Sequence, residues 1–323
     1  MQINLHLLRL FLTVAEAGSF SKAAEGLWIS QPAVSKGVAE LEHQLDLVLF
    51  ERGTGGSRGG SRGVRLTEAG ASLLGYARRL FAIERQALED VRARIGLHKG
   101  TLAIGASTTV ASYWLPSILA EFHRGHPEIV PSVRVGNTQW VAEQVLDGSV
   151  DFALVEGSVA DARIEADFWR DDPLILVVPP GSRLAGKQVA VAELAAERWI
   201  LREPGSGTRA AVEEVLDASG IAVQPWMEMA SNEAIARTIA SGVGVSILPR
   251  VVVDDMLRWG AVRETRLKRP VALDRPLYRL ALKGRVPTPA ARRMTELVVG
   301  AAAEAGPAPR RVSRPSRSSR STP

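Results

Sequence analysis

Gln31, Ala33, Ser35 and Lys36 are short or polar and follow one another closely near the start of the chain. Displayed on one face of a helix, such side chains reach base edges in a DNA major groove. Arg52, Arg58, Arg62 and Arg65 then punctuate a glycine-rich run with a repeated Gly-Gly-Ser-Arg and no acid between them. Arginine on such a loop suits a minor groove or the phosphate backbone; a plain flexible linker is the bland alternative. Further along, Ser107-Thr108-Thr109, Asn137-Thr138, Ser206-Gly207-Thr208 and Ser231 form short polar breaks, with Arg202 and Arg209 beside them. Hydroxyls, amides and free N–H groups at helix starts attract anions, although each pair taken alone is an ordinary helix cap.

The elements that must position these groups can be read from spacing. Ser21 to Leu27 predicts a short helix, with small Ala23 and Ala24 where a neighbour must come close, and Trp28-Ile29-Ser30 a turn. Ser30 is a good N-cap and Pro32 is tolerated in a first helical turn. Val34, Val38, Leu41 and Leu45 make one buried stripe of a second helix, leaving Gln31, Ala33, Ser35 and Lys36 outside. This is a helix-turn-helix, and the Gly/Arg loop is its wing. Thr67 caps a helix over 67–95, with apolar residues at Leu74, Ala77, Phe81, Leu88, Val91 and Ile95 and Glu84 in an apolar slot. At 1.5 Å per residue it runs roughly 40 Å, and its near-heptad seam predicts packing against a second copy.

From residue 101 strands alternate with helices. Strands are expected at Thr101–Gly105, Val133–Val135, Asp151–Val155, Leu174–Val178, Trp199–Leu201 and Gly244–Leu248, with a returning pair over Leu267–Lys283. Helices open at Ala106–Thr109, Gly136–Thr138, Gly205–Arg209 and Ser231–Glu233. Ligands in open α/β sheets bind at carboxyl ends of strands, so these breaks, with Glu156 and Arg202 at strand ends, define a cleft for an anion.

The chain has 323 residues, 46% of them hydrophobic, which is enough for several domains. It has no cysteine, which excludes disulfides, thiolate metal sites and thiol redox sensing. No run of about 20 apolar residues suggests a membrane span, and the start lacks a signal-peptide pattern; the expected location is the cytoplasm. The excess of 40 basic over 35 acidic residues equals the five arginines of 310–320, so the expected folded body is nearly neutral and residues 304–323 read as a disordered basic tail. Gly181-Ser182-Arg183-Leu184-Ala185-Gly186-Lys187 imitates a phosphate loop, but Gln188 replaces the required hydroxyl. All five histidines lie at or before His126, so the later part has no histidine base for a serine nucleophile. No catalytic residue, metal site or cofactor is expected. His123 and His126 read as solvated, and Trp114 and Trp140 as core or cleft wall.

The chain resembles the LysR-type transcriptional regulators. The residues that carry the likeness are Leu10-Phe11, Ala15, Gly18-Ser19-Phe20, Ala23-Ala24, Ser30 to Ser35, Leu41-Glu42, Leu49 to Arg52 and Leu66-Thr67-Glu68-Ala69-Gly70. It departs from the family in its long wing, in Gly37 inside the recognition helix, and in Asp46 where the family mostly has glycine. Gly37 should cost about 1 kcal/mol against alanine. Gly105 to Thr109, Gly136-Asn137-Thr138 and Arg202 to Arg209 resemble the branch controlling carbon fixation and sulfur assimilation. The resemblance implies an α+β / α/β architecture: a winged helix-turn-helix (1–66), a linker and dimerisation helix (67–96), and a periplasmic-binding-protein-like effector domain. That domain would have subdomain I at 97–164 plus 268–303 and subdomain II at 165–267.

The expected DNA contacts are Ser30, Gln31, Pro32, Ala33, Ser35, Lys36, Arg52, Arg58, Arg62 and Arg65. By resemblance Ser107, Thr108, Asn137, Glu156, Ser206, Gly207 and Thr208 line an inducer site, and the cleft reading adds Thr109, Thr138, Arg202 and Ser231. The expected partners are double-stranded DNA, a small oxyanion or phosphorylated metabolite, and further copies of the chain as a dimer or tetramer. Activation is the family expectation for the output. The alternatives are a constitutive architectural DNA binder and, behind it, an enzyme on a two-lobed fold.

Overall fold

The computed structural model describes residues 3–51, 64–94, 101–157, 159–268 and 273–303. Arg52, Arg58, Arg62, Ile95 and the tail arginines lie outside them. The chain divides into an amino-terminal unit ending near Leu97 and a carboxy-terminal unit.

The amino-terminal unit holds α1 (Leu5–Ala17), α2 (Phe20–Leu27), α3 (Gln31–Leu45) and α4 (Glu68–Arg94). Ser19 and Ser30 cap α2 and α3 through their hydroxyls. Leu7, Leu10, Phe11, Val14, Val34, Val38 and Leu41 meet in one core with Leu49 and Phe50, and the Phe50 ring lies 5.3 Å from Phe11 and 5.5 Å from Phe20. Three residues of the family pattern hold the wing's base. Glu42 Oε1 accepts from the N–H groups of Leu49 (2.7 Å) and Phe50 (3.2 Å). Thr67 Oγ1 donates to the Val48 carbonyl at 2.7 Å and accepts from Gly70 N–H at 3.0 Å. Gly70 packs so tightly on the Leu49 carbonyl that a Cβ there would overlap it. The base closes as Phe50 pairs with Leu66.

Two departures from the family pattern now have physical accounts. A Cβ on Gly37 would overlap Leu10 of α1, so α1 and α3 approach through this glycine. Asp46, the C-cap of α3, has φ 53°, the left-handed conformation that favours glycine.

The seam of α4 divides. Ala77 and Phe81 are buried, and Leu74 packs partly against the core of this unit, whereas Leu88 and Val91 are exposed. Glu84 fills its apolar slot by pairing with Arg9 of α1.

The carboxy-terminal unit is a mixed sheet with helices. In chain order it has β1 (Thr101–Ser107), a π-helical stretch (Val110–Trp114), α5 (Leu115–Gly125), β2 (Val130–Gly136), α6 (Thr138–Leu146), β3 (Phe152–Glu156) and β4 (Ile164–Val178). There follow β5 (Gln188–Val189), α7 (Val191–Ala195), β6 (Ile200–Arg202), α8 (Gly207–Ala218), β7 (Met227–Met229), α9 (Asn232–Ala240) and β8 (Ser246–Pro249). The last are α10 (Arg250–Arg258), β9 (Arg263–Leu267), β10 (Asp274–Leu282) and α11 (Pro289–Ala303). The sheet order is β2-β1-β3-β10-β4-β9-β5, with β8 also on β4 and a separate β6-β7 pair. All five residues of β3 are buried, as suits a central strand.

One lobe has a core of Leu102, Ile104, Leu115, Phe122, Phe152 and Met294; the other is built around Leu176, Trp199, Leu201 and Val212, with Ile235, Ile239 and Leu248 beside them. The expected short strand at Leu174–Val178 is the buried end of the much longer β4. In its first part Glu165, Ala166, Asp167 and Asp171 are exposed while the strand pairs with β10, so no apolar run marks it. β4 continues into the second lobe against β8 and β9. The strand β5, rather than a helix, follows Lys187, which removes the phosphate-loop geometry at Gly181–Lys187. Among the described residues no helix is long and apolar enough to cross a membrane, and no group of three or more acidic residues and histidines is placed to hold a metal ion.

Candidate functional site

On the amino-terminal unit, Ser30, Gln31, Pro32, Ala33, Ser35 and Lys36 are all exposed at the start and along one face of α3, opposite the buried Val34, Val38 and Leu41. This is the geometry of a recognition helix: short polar groups outside, a rigid core behind. Arg65 stands at the wing's base, where its carbonyl accepts from Glu51 N–H at 2.9 Å. Trp28 closes α2 with φ 56° and is 93% exposed. A bulky residue in the left-handed region is strained, and among the described residues nothing covers its ring.

In the carboxy-terminal unit the polar breaks converge. β1 ends at Ser107, β3 at Glu156 and β6 at Arg202, and α6, α8 and α9 start from Asn137, Ser206 and Ser231. Thr138 Oγ1 donates to the Glu156 carbonyl at 3.1 Å and accepts from Gly207 N–H at 3.2 Å. Gln139 N–H donates to the Gly205 carbonyl at 3.1 Å. Gly207 is required, since a Cβ would overlap the Glu156 carbonyl. Asn232 Nδ2 donates to Thr109 Oγ1 at 2.9 Å and Thr208 Oγ1 at 3.3 Å. Arg202 donates to both oxygens of Glu203 (2.8 and 3.0 Å) and to Thr108 Oγ1 at 3.4 Å. Asn137 Nδ2 donates to Glu203 Oε1 at 3.3 Å.

Ten of the eleven expected effector residues thus belong to one constellation of strand ends and helix starts. Ser206 and Ser107 contribute as caps, accepting from Arg209 N–H and Val110 N–H. Ser231 stands at its edge, its hydroxyl spent on Ala234 N–H and on Glu233. Glu233 in turn faces Tyr113, whose hydroxyl is pushed up to about 12 by burial and by that carboxylate. Arg209 is committed elsewhere, to Glu213, Glu228 and the Arg202 carbonyl.

Residues that spacing missed lie deepest. Arg275, with no exposed surface, donates twice to Asp172 Oδ2 (2.8 and 2.6 Å) and to Thr208 Oγ1 at 2.5 Å, and lies 3.3 Å from Glu156. It joins β10 to β4 and ties both to Thr208 at the start of α8 and to Glu156 at the end of β3. Burial pushes the Asp172 carboxyl up even with Arg275 beside it. One signal was present: residues two apart in a strand share a face, and Arg275 shares one with the fully buried Leu277.

Electrostatics point the site one way. An open recess of about 770 Å³ beside α6 and α8 reaches Thr138 and Ser206, but Glu143, Asp161, Glu213 and Glu214 line it, the wrong sign for an anion. A cation, Arg202, lies instead beneath Glu203 and beside Thr108.

Residues 96–303 match the LysR substrate binding domain, and residues 5–71 match the bacterial regulatory helix-turn-helix protein of the lysR family. The chain belongs to the LysR-type transcriptional regulators. It is 33% identical to the RuBisCO operon transcriptional regulator of Allochromatium vinosum, over 94% of this chain and 98% of that one. It is 32% identical to the regulator CysL of Bacillus subtilis (strain 168), over 76% and 80%. The crystal structure of full-length CbnR complexed with its target DNA superposes with a TM-score of 0.65 at 25% identity, over 91% of this chain and 98% of that one. Within the LysR-type regulators the chain stands with the carbon-fixation and sulfur branches. It is a DNA-binding regulator with an effector-binding domain.

Proposed function

We propose that this regulator binds a small oxyanion or phosphorylated metabolite in the cleft built by Ser107, Thr108, Asn137, Arg202 and Thr208, and that the bound anion changes how paired recognition helices hold or bend DNA. The observation that carries this reading is the convergence of hydroxyls, an amide and the nearly buried Arg202 on one place where strands end and helices begin. Asn232 Oδ1 adds a buried acceptor without a hydrogen-bond partner, suited to a ligand hydroxyl. DNA is read by Gln31, Ala33, Ser35 and Lys36, with the wing arginines on the backbone. The exposed Ile83, Leu88 and Val91 of α4 support assembly as a dimer or a tetramer. Activation in the cytoplasm, without catalysis, is the corresponding physiological role.

A ligand shifts an equilibrium only through different affinity for its two states. The test is a thermal-shift panel on the full chain with sulfate, sulfite, phosphate and phosphorylated sugars. A selective ligand at 100 times its Kd adds about 2.7 kcal/mol. Thr108→Ala and Ser206→Ala should abolish that response and leave DNA binding intact; an unchanged response in both variants refutes the assignment.

A further inference from the structure

We infer that Glu203 is a built-in competitor for the anion site: every ligand must displace a tethered carboxylate from Arg202, a common penalty that a doubly charged tetrahedral oxyanion can overcome and a monocarboxylate cannot. The inference rests on the cleft assignment just made.

The geometry is that of a bound anion. Arg202 grips the carboxylate through two parallel N–H donors, at 2.8 and 3.0 Å, the bidentate mode that guanidinium groups use for free carboxylates and phosphates. Asn137, from the facing lobe, adds a third donor to the same group at 3.3 Å. The carboxylate therefore spans the cleft as a ligand would. It comes from the residue next to Arg202, so it is always at hand. Burial alone would raise its pKa, but the hydrogen bonds and charge of Arg202 outweigh burial and hold it below the usual carboxylate range. It stays charged through neutral pH.

The two partners differ in their freedom to move. The Arg202 side chain is 3% exposed, whereas that of Glu203 is 24% exposed, so the acid has a way out to solvent and the base does not. With Glu203 swung away, Arg202, Asn137 Nδ2 and the Thr108 hydroxyl form a three-sided donor set. A free monocarboxylate offers Arg202 nothing that the tethered one lacks, and it must compete against an effective concentration on the order of millimolar. A sulfate or phosphate dianion brings a second charge and more acceptor oxygens, enough to use Arg202, Asn137 and Thr108 together.

The experiment is calorimetric titration of the full chain in chloride-free buffer with sulfate, inorganic phosphate and acetate, comparing wild type with Glu203→Gln, Glu203→Asp and Arg202→Gln. Circular dichroism checks that each variant folds. Glu203→Gln should bind sulfate and phosphate about tenfold tighter and bring acetate, too weak to register on wild type, into measurable binding by the same factor. Glu203→Asp, too short to hold both guanidinium donors, should fall between, and it serves alone if Glu203→Gln does not fold. Arg202→Gln should bind none of the three. Equal sulfate affinity in wild type and the Glu203 variants overturns the competitor while leaving the cleft reading intact. Retained binding in Arg202→Gln, or none in wild type and the Glu203 variants, overturns both.

Discussion

The two units treat their functional polar groups in opposite ways. On the recognition helix Gln31, Ser35 and Lys36 stand in solvent over an apolar core, and none is needed to hold that core together. In the effector unit Thr109, Thr208, Asn232 and Arg275 are buried and hydrogen-bonded to one another, and the buried Ser107 caps its own turn. A surface that is already displayed can bind rigidly. A cleft whose donors are already paired binds only by exchanging internal bonds for external ones, so its affinity is a difference between two states. That difference is what a switch requires: the head can be a fixed reader while the effector unit carries the bistability.

The sharpest way to break this contrast is Arg275→Ala. It strands Asp172 and Glu156 in the interior, and removing one partner of a buried ion pair costs about 3–5 kcal/mol. Scanning calorimetry should show the effector transition lowered while DNA affinity of the folded protein at low temperature is retained. A loss below about 1 kcal/mol would mean that the buried charges are not structural. The head should respond the other way round. Gln31→Ala and Lys36→Ala should each lose about 1–3 kcal/mol on a selected operator and relax specificity at the base they contact. Both should leave thermal stability within about 0.5 kcal/mol, as surface substitutions do.

The same contrast explains what could be read from the chain. The head was legible because its parts are neighbours: the Ser30 cap, the Val34–Leu45 stripe and the exposed face lie within one helix, where period alone assigns sides. Most strands and helix starts of the effector unit were legible as polar punctuation between apolar runs. Arg275 and Asp172 were not, because their partnership spans two strands far apart in sequence, and charged runs such as Arg170-Asp171-Asp172 and Asp274-Arg275 read as solvated ones. The first part of β4 was missed for a related reason. Glu165, Asp167 and Asp171 hide a strand that is held by pairing with β10 rather than by burial on a continuous apolar face.

Gly37 tests whether packing or local propensity rules the head. Helix propensity favours alanine by about 1 kcal/mol. The overlap of a Cβ with Leu10, itself buried between α1 and α3, forces a shift of the kind that costs roughly 1–3 kcal/mol. Gly37→Ala should therefore be neutral to destabilising by urea denaturation, with reduced DNA affinity if α3 moves. A gain near 1 kcal/mol would show that Leu10 yields freely.

The smallest effect separates strain that is incidental from strain that has a use. Asp46 and Trp28 are the described non-glycine residues with positive φ, at 53° and 56°. Asp46 is exposed at the end of α3, and aspartate is among the side chains that tolerate this region, so Asp46→Gly should stabilise by about 0.5 kcal/mol and leave DNA binding unchanged. Trp28 is bulky, so Trp28→Gly should relieve about 1 kcal/mol of strain. Its ring, however, projects from the turn immediately before the recognition helix. If stability rises and operator affinity is unchanged in both variants, the two conformations are alike and neither is used. If Trp28→Gly gains stability but loses affinity while Asp46→Gly does not, the strained indole is held there to touch DNA, and the head too stores part of its function in an unfavourable local structure.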